Sequence, residues 1–334
     1  PFNQYGSNMN DYKWNMDDKT IDINIGNMGA VKPYFVATKP GMDSLKFEAK
    51  HALFDIASGV LAIDEIPYID VADSRVFPAD GKAIVRENAD MDTLYDSKID
   101  ANRIDKYHQF FSCKTKIKGR NQVRAIGLFN YENKHGKQEV LFDSIYAHDK
   151  ILFADALVEA EDDFVIDRMI GYKGIMRVRG NSKSNHLFGY VKPDHGFDSF
   201  NGQWVRYRDS IDRNNVVLHI GVPEDKDGRT LPIGVYSYGR GTGYYPQFYG
   251  WKSSYSDVEI TSDTGLLYYD YAKKQLVLGN EDKLFKGQIR GNTMTIDPVK
   301  GYMETEGQLN FGFDYKESNI QFGGNASLQE GDST

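Results

Sequence analysis

One cysteine, Cys113, stands in 334 residues, so no disulfide can close within the chain and no cysteine-based metal site can form. It lies in Phe110-Phe111-Ser112-Cys113-Lys114-Thr115, an apolar stretch that predicts a strand holding a buried, inert thiol. Positive charge is also in short supply. Lys and Arg number 40 against 48 Asp and Glu, a formal net charge of −8 with a pI near 5.4. Nucleic acid is bound by clustered cations that displace counterions, so the balance argues against that partner. It also argues against docking on an anionic membrane surface. No apolar run approaches the roughly 18 residues that a spanning helix needs, so the chain is read as not membrane-spanning.

Signatures of catalysis are missing as well. The seven histidines include no i, i+4 pair of the zincin kind, and no metal or other cofactor is expected. No Gly-x-Ser-x-Gly elbow occurs. Gly239-Arg240-Gly241-Thr242-Gly243 lacks the Lys-Ser/Thr ending of a phosphate loop. Asp64-Glu65, Asp162-Asp163 and Glu224-Asp225 are adjacent carboxylates, and neighbours on a strand point to opposite faces. They are read as solvated pairs, because glycoside hydrolysis needs two carboxyls facing each other about 5–10 Å apart. No catalytic residue is assigned.

What the chain does hold is 22 Tyr, 19 Phe and 32 Gly. Aromatic residues suit a pleated surface, and glycine marks turns. Apolar and polar residues alternate in Leu45–Lys50, Lys114–Lys118, Met176–Arg179 and Thr293–Asp297, the period of a half-buried strand. Three turns read as hairpin loops: Asp55–Gly59, Pro78–Gly81 and Asn133–Gly136. Divergent copies of one strand–turn–strand unit are read at 47–63, 69–85, 266–278 and 294–303. The expected fold is all-β and mostly antiparallel, its hairpins stacked into an elongated jelly-roll-like or solenoid body. Two β-sandwich domains meeting near residues 223–232 are the alternative. Expected boundaries are an irregular segment over 1–30, a β-repeat region over 31–222, a linker or long loop over 223–232, a second β region over 233–322 and a flexible tail over 323–334.

Several stretches resemble long uncharacterised envelope proteins of Gram-negative bacteria. They are Val31–Pro40, Asp43–Phe47, Ile69–Asp73, Asp80-Gly81-Lys82, Tyr107-His108 and Phe188–Pro193. The resemblance implies that this chain, which begins at Pro1, is a segment of a larger cell-envelope protein, periplasmic or associated with the outer membrane. More distantly, Ala49, Phe54-Asp55, Gly59 and Val60-Leu61 resemble the repeat of β-jellyroll proteins that bridge lipopolysaccharide across the periplasm. In those proteins an apolar trough holds acyl chains, which implies lipid as a possible partner.

One segment is unusually rich in rings. Tyr236, Tyr238, Tyr244, Tyr245, Phe248, Tyr249, Trp251 and Tyr255 stand among Gly, Ser and Arg240. Rings on glycine-rich loops can stack on sugar faces or anchor a protein partner. The competing reading packs them into the chain's own core. The expectation is a non-catalytic envelope segment, structural or binding, whose partners are other envelope proteins or a glycan. A carbohydrate-active β-protein and a lipid-bridging jellyroll are the alternatives.

Overall fold

Four hairpins turn by one local mechanism. Asn15, Asp55, Asp270 and Asp297 each end a strand, and the side-chain Oδ1 accepts the backbone N–H groups two and three residues on, at 2.8–3.3 Å. The fourth residue on, Lys19, Gly59, Lys274 or Gly301, takes a positive φ of 52–68°. The return strand starts at the next residue, so Asn15 faces Thr20, Asp55 faces Val60, Asp270 faces Gln275 and Asp297 faces Tyr302. Short Asx side chains imitate a backbone turn and stabilise a four-residue loop. Asn133 uses the same device, accepting from the N–H groups of His135 and Gly136.

The computed structural model describes residues 3–27, 29–197, 202–240, 243–311, 314–315, 318–319 and 322–329. The architecture is all-β with antiparallel sheets, and the described strands form several sheets rather than a closed barrel. No helix among the described residues is long and apolar enough to cross a membrane.

Two compact units emerge. The first comprises Pro1–Tyr131, Lys137–Leu157 and Met176–Asn185. One of its sheets has the order Tyr5–Ser7, Tyr34–Ala37, Lys46–Glu48, and another runs Ala83–Val85, Val60–Asp64, His51–Asp55, Thr20–Asn24, Asp11–Asn15. A further run of paired strands follows the order Ile69–Val71, Ser74–Phe77, Leu94–Asp100, Gln109–Gly119, Gln122–Glu132, Lys137–His148, Ile151–Val158. Burial alternates along Gln109–Gly119 and Gln122–Glu132, one face inward and one outward. Three inward rings, Phe110, Phe129 and Phe142, are at most 1% exposed, and their centroids lie 5.3–5.8 Å apart. Cys113 is buried on the same strand as Phe110, and desolvation pushes its thiol up to about 12.

The second unit comprises Glu132–Gly136, Val158–Ile175 and His186–Thr334. A six-stranded sheet has the order Leu218–Ile220, Gly265–Asp270, Gln275–Gly279, Thr293–Asp297, Tyr302–Leu309, Phe322–Gln329. A three-stranded sheet sets Ile233–Ser237 between Tyr244–Phe248 and Val258–Thr261. The helix Glu281–Lys286 is a single short turn system, started by Asn280, whose side chain accepts from the N–H groups of Asp282 and Lys283, and stopped by Gly287 at φ 67°. Replacing Asn280 by alanine should cost about 1 kcal/mol, read as a fall in urea midpoint; an unchanged midpoint would show that the cap adds nothing.

Three sequence readings need correction. Pro78–Gly81 is not a hairpin loop: Ser74–Phe77 pairs with Ile69–Val71 and Leu94–Asp100, whereas Ala83–Val85 pairs with Val60–Asp64. Gly81, at φ 64°, packs against the Ile66 backbone and accepts its N–H, which sends the chain into another sheet. Residues 1–30 are not irregular throughout, for they contribute Tyr5–Ser7, Asp11–Asn15 and Thr20–Asn24. The middle strand of these is exposed along its whole length, so it carries no buried period to read. The end of the chain is paired rather than loose, because Phe322–Gln329 matches Tyr302–Leu309 residue by residue; residues 330–334 lie outside the described part. Residues 223–232 lie inside the second unit, in keeping with the long-loop alternative. Asp225 accepts from the N–H groups of Asp227 and Arg229 and pairs with the Arg229 guanidinium at 2.7 Å, locking the charged stretch as a loop.

Candidate functional site

The aromatic segment sits on the three-stranded sheet of the second unit. Ile233–Ser237 is buried at four successive positions and Tyr244–Phe248 likewise, so side chains on both faces of these strands are covered. Tyr236 is 1% exposed, stacks on Tyr245 with centroids 5.9 Å apart, and donates its hydroxyl to Glu259 at 3.1 Å. Tyr245 is buried and donates to Asp257 at 2.5 Å. Phe248 and Tyr249 are buried against each other, centroids 4.8 Å apart. Four of the eight rings are therefore core.

The other four face solvent. Tyr238 is 38% exposed, Trp251 39% and Tyr244 57%, and Tyr255 is fully exposed. Tyr238 lies against the buried Tyr245 at 4.7 Å, and the Arg229 guanidinium lies 4.5 Å from the Trp251 ring. Gly241 and Thr242, in the glycine-rich loop between Tyr238 and Tyr244, are outside the described residues.

Asp257 ties this surface together. Its carboxylate accepts from Gly239 N–H at 2.9 Å, from Tyr245 and from Ser254 N–H at 2.7 Å. The Gly239 N–H above all, then the Tyr245 hydroxyl, hold Asp257 below the usual carboxylate range. Desolvation, then the hydrogen bond to Asp257, pushes the Tyr245 phenol up to about 12. These groups clamp loops and keep their protons where they are. The surface so built offers ring faces and hydroxyls to a ligand.

One buried carboxyl behaves differently. Asp263 is 8% exposed; its Oδ1 accepts Thr264 N–H, and its Oδ2 has no hydrogen-bond partner. Burial pushes it up to about 7. The Tyr249 hydroxyl is also buried without a partner. Among the histidines, His195 is buried between Phe197 and Phe248, and its Nδ1 accepts Phe197 N–H. No group of three or more His, Cys, Asp or Glu among the described residues is placed to hold a metal.

A separate concavity in the first unit went unread in the sequence. It is a cleft of about 820 Å³ whose walls carry Tyr34, Lys46, Tyr68, Arg103, Arg120 and Lys150. These residues are scattered over more than a hundred positions, and no local pattern joins them. In the ring segment, the missed contributors are Arg229, which fell in the supposed linker, and the clamp Asp257.

No family model, curated protein or solved structure matches the chain.

Proposed function

We propose that this protein is a non-catalytic binding module, a segment of a larger cell-envelope assembly, and that its ligand on the second unit is a glycan. The observation that carries the reading is the set of exposed rings, Tyr238, Tyr244, Trp251 and Tyr255, of which Tyr238 lies against the buried Tyr245. Flat apolar faces with hydroxyl rims suit pyranose rings, and a rigid base spares the ligand the entropy of ordering them. Trp251→Ala should weaken binding to a glycan selected on an array by about tenfold or more, and Tyr244→Ala by less. Wild type and Trp251→Ala giving equal affinity would remove the ring platform from the reading. Recovery of the protein from native envelope solely as a free monomer would remove the assembly.

Lipid bridging is a second reading, favoured by an apolar groove of about 240 Å³ in the first unit, lined by Tyr5, Tyr12, Ile23, Phe35, Phe54 and Leu61. It requires co-purifying lipid, and mass spectrometry of native protein without any would count against it.

A further inference from the structure

The cleft of the first unit is lined by as many acids, Asp43, Glu48, Asp70 and Asp73, as cations. Four cations line it: Lys46, Arg103, Arg120 and Lys150. The acids in the same walls are mostly engaged. Asp70 receives both forks of Arg75 at 2.8 and 3.2 Å and Arg103 at 3.4 Å. Glu48 pairs with Lys32 at 2.7 Å, and Asp43 accepts the Asn121 amide at 3.2 Å. Asp73 accepts Leu152 N–H at 2.7 Å through Oδ1, while Oδ2 is sealed from solvent near the Gly180 backbone. Burial raises the Asp73 carboxyl above its ordinary range.

The cations divide in the same way. Lys46 lies 3.5 Å from the centre of the Tyr34 ring, and Arg75 lies 3.6 Å from that of Tyr68. Arg120 and Lys150 are exposed and have no ion-pair partner among the described residues. A guanidinium and an ammonium converging on one cavity beside half-buried tyrosines form an anion site with apolar walls. An arginine fork matches a carboxylate or phosphate with two parallel hydrogen bonds, and a lysine adds a point charge. The volume falls within the range of small-molecule pockets and admits sugar rings.

We propose that this cleft binds an anionic sugar, a pyranose bearing a carboxylate or a phosphate, with Arg120 and Lys150 holding the charged group and Tyr34 and Tyr68 flanking the ring. The site is independent of the ring platform on the second unit and shares no residue with it.

Titration calorimetry of the intact chain with trigalacturonate, glucose 6-phosphate and maltotriose tests this. At least one anionic probe should bind about tenfold more tightly than neutral maltotriose, and which one does identifies the charged group. Added NaCl should weaken that binding, because exposed charges are screened. The double variant Arg120→Gln/Lys150→Gln should lose about tenfold, whereas Trp251→Ala should bind the anion as wild type does. Both substituted side chains are exposed, so a native circular dichroism spectrum is expected and serves as the folding control. The proposal is overturned if neither anion binds, if maltotriose binds equally, if salt has no effect, or if the folded double variant binds undiminished. Loss of anion binding in Trp251→Ala would also overturn it, by placing the ligand on the second unit.

Discussion

Asp263→Asn is expected to make the protein more stable than wild type above about pH 7 and to lose that advantage near pH 4. The wild-type carboxyl is buried, with one oxygen on Thr264 N–H and the other unpartnered, and its folded-state value is pushed up to about 7. An unfolded aspartate titrates near 3.9. The folded state therefore holds this proton more tightly than the unfolded state does. The contribution to stability is full below about pH 4 and is lost as pH rises through about 7. Three pH units at 1.36 kcal/mol each bound the effect at about 4 kcal/mol in alkaline solution. The neighbouring charge that opposes the shift is Lys283, whose Nζ is occupied by Glu306 and by the carbonyl oxygens of Gly291 and Glu306. Tyr249, the other titratable neighbour, is held protonated by burial and by the Asp263 charge.

Asparagine keeps the acceptor for Thr264 N–H and cannot ionise. The measurement is urea unfolding of both proteins across pH 4 to pH 9, with the difference in stability plotted against pH. Any fixed cost of burying the amide shifts that curve vertically without changing its slope. A difference that stays flat across the range would show that Asp263 titrates as an ordinary carboxyl.

Phe129→Ala should cost about 3–5 kcal/mol. Phe129 is 1% exposed and touches Phe110 and Phe142 in edge or tilted geometry, with the His108 ring 5.8 Å away. Truncation removes a ring from Phe110 and Phe142, which belong to different strands, so the space cannot close without moving the sheet. Phe129→Leu keeps most of the volume and should cost clearly less. Guanidinium midpoints for the two variants check the ordering, and equal losses would mean that shape at this site matters more than volume.

The strand class could be read from the chain because its causes are local. Alternation along Lys114–Lys118 and Thr293–Asp297 is visible without knowing any partner, and both segments are strands. The Asp55 turn was legible for the same reason: a side chain reaching two and three residues ahead needs no tertiary context. Pro78–Gly81 carries equally good turn residues and failed as a hairpin. A turn residue shows that the chain bends; which strand it then meets is a long-range matter.

The ring segment divides on the same principle. Tyr244 and Tyr245 are adjacent and chemically identical, yet one is 57% exposed and the other 2%. Tyr245 is buried because Asp257 waits for its hydroxyl and Tyr236 for its face. With both faces of Tyr244–Phe248 covered after the first residue, alternation ceases to report burial. Composition and local spacing thus determined the β architecture, the antiparallel hairpins and the Asx turns, since each arises within a few bonds of the residues concerned. The tertiary structure alone decided which rings meet solvent, that Tyr5–Ser7 and Phe322–Gln329 are strands, and that Arg120 and Lys150 share a cleft. Burial and charge proximity are set by partners distant in sequence, and no window along the chain contains them.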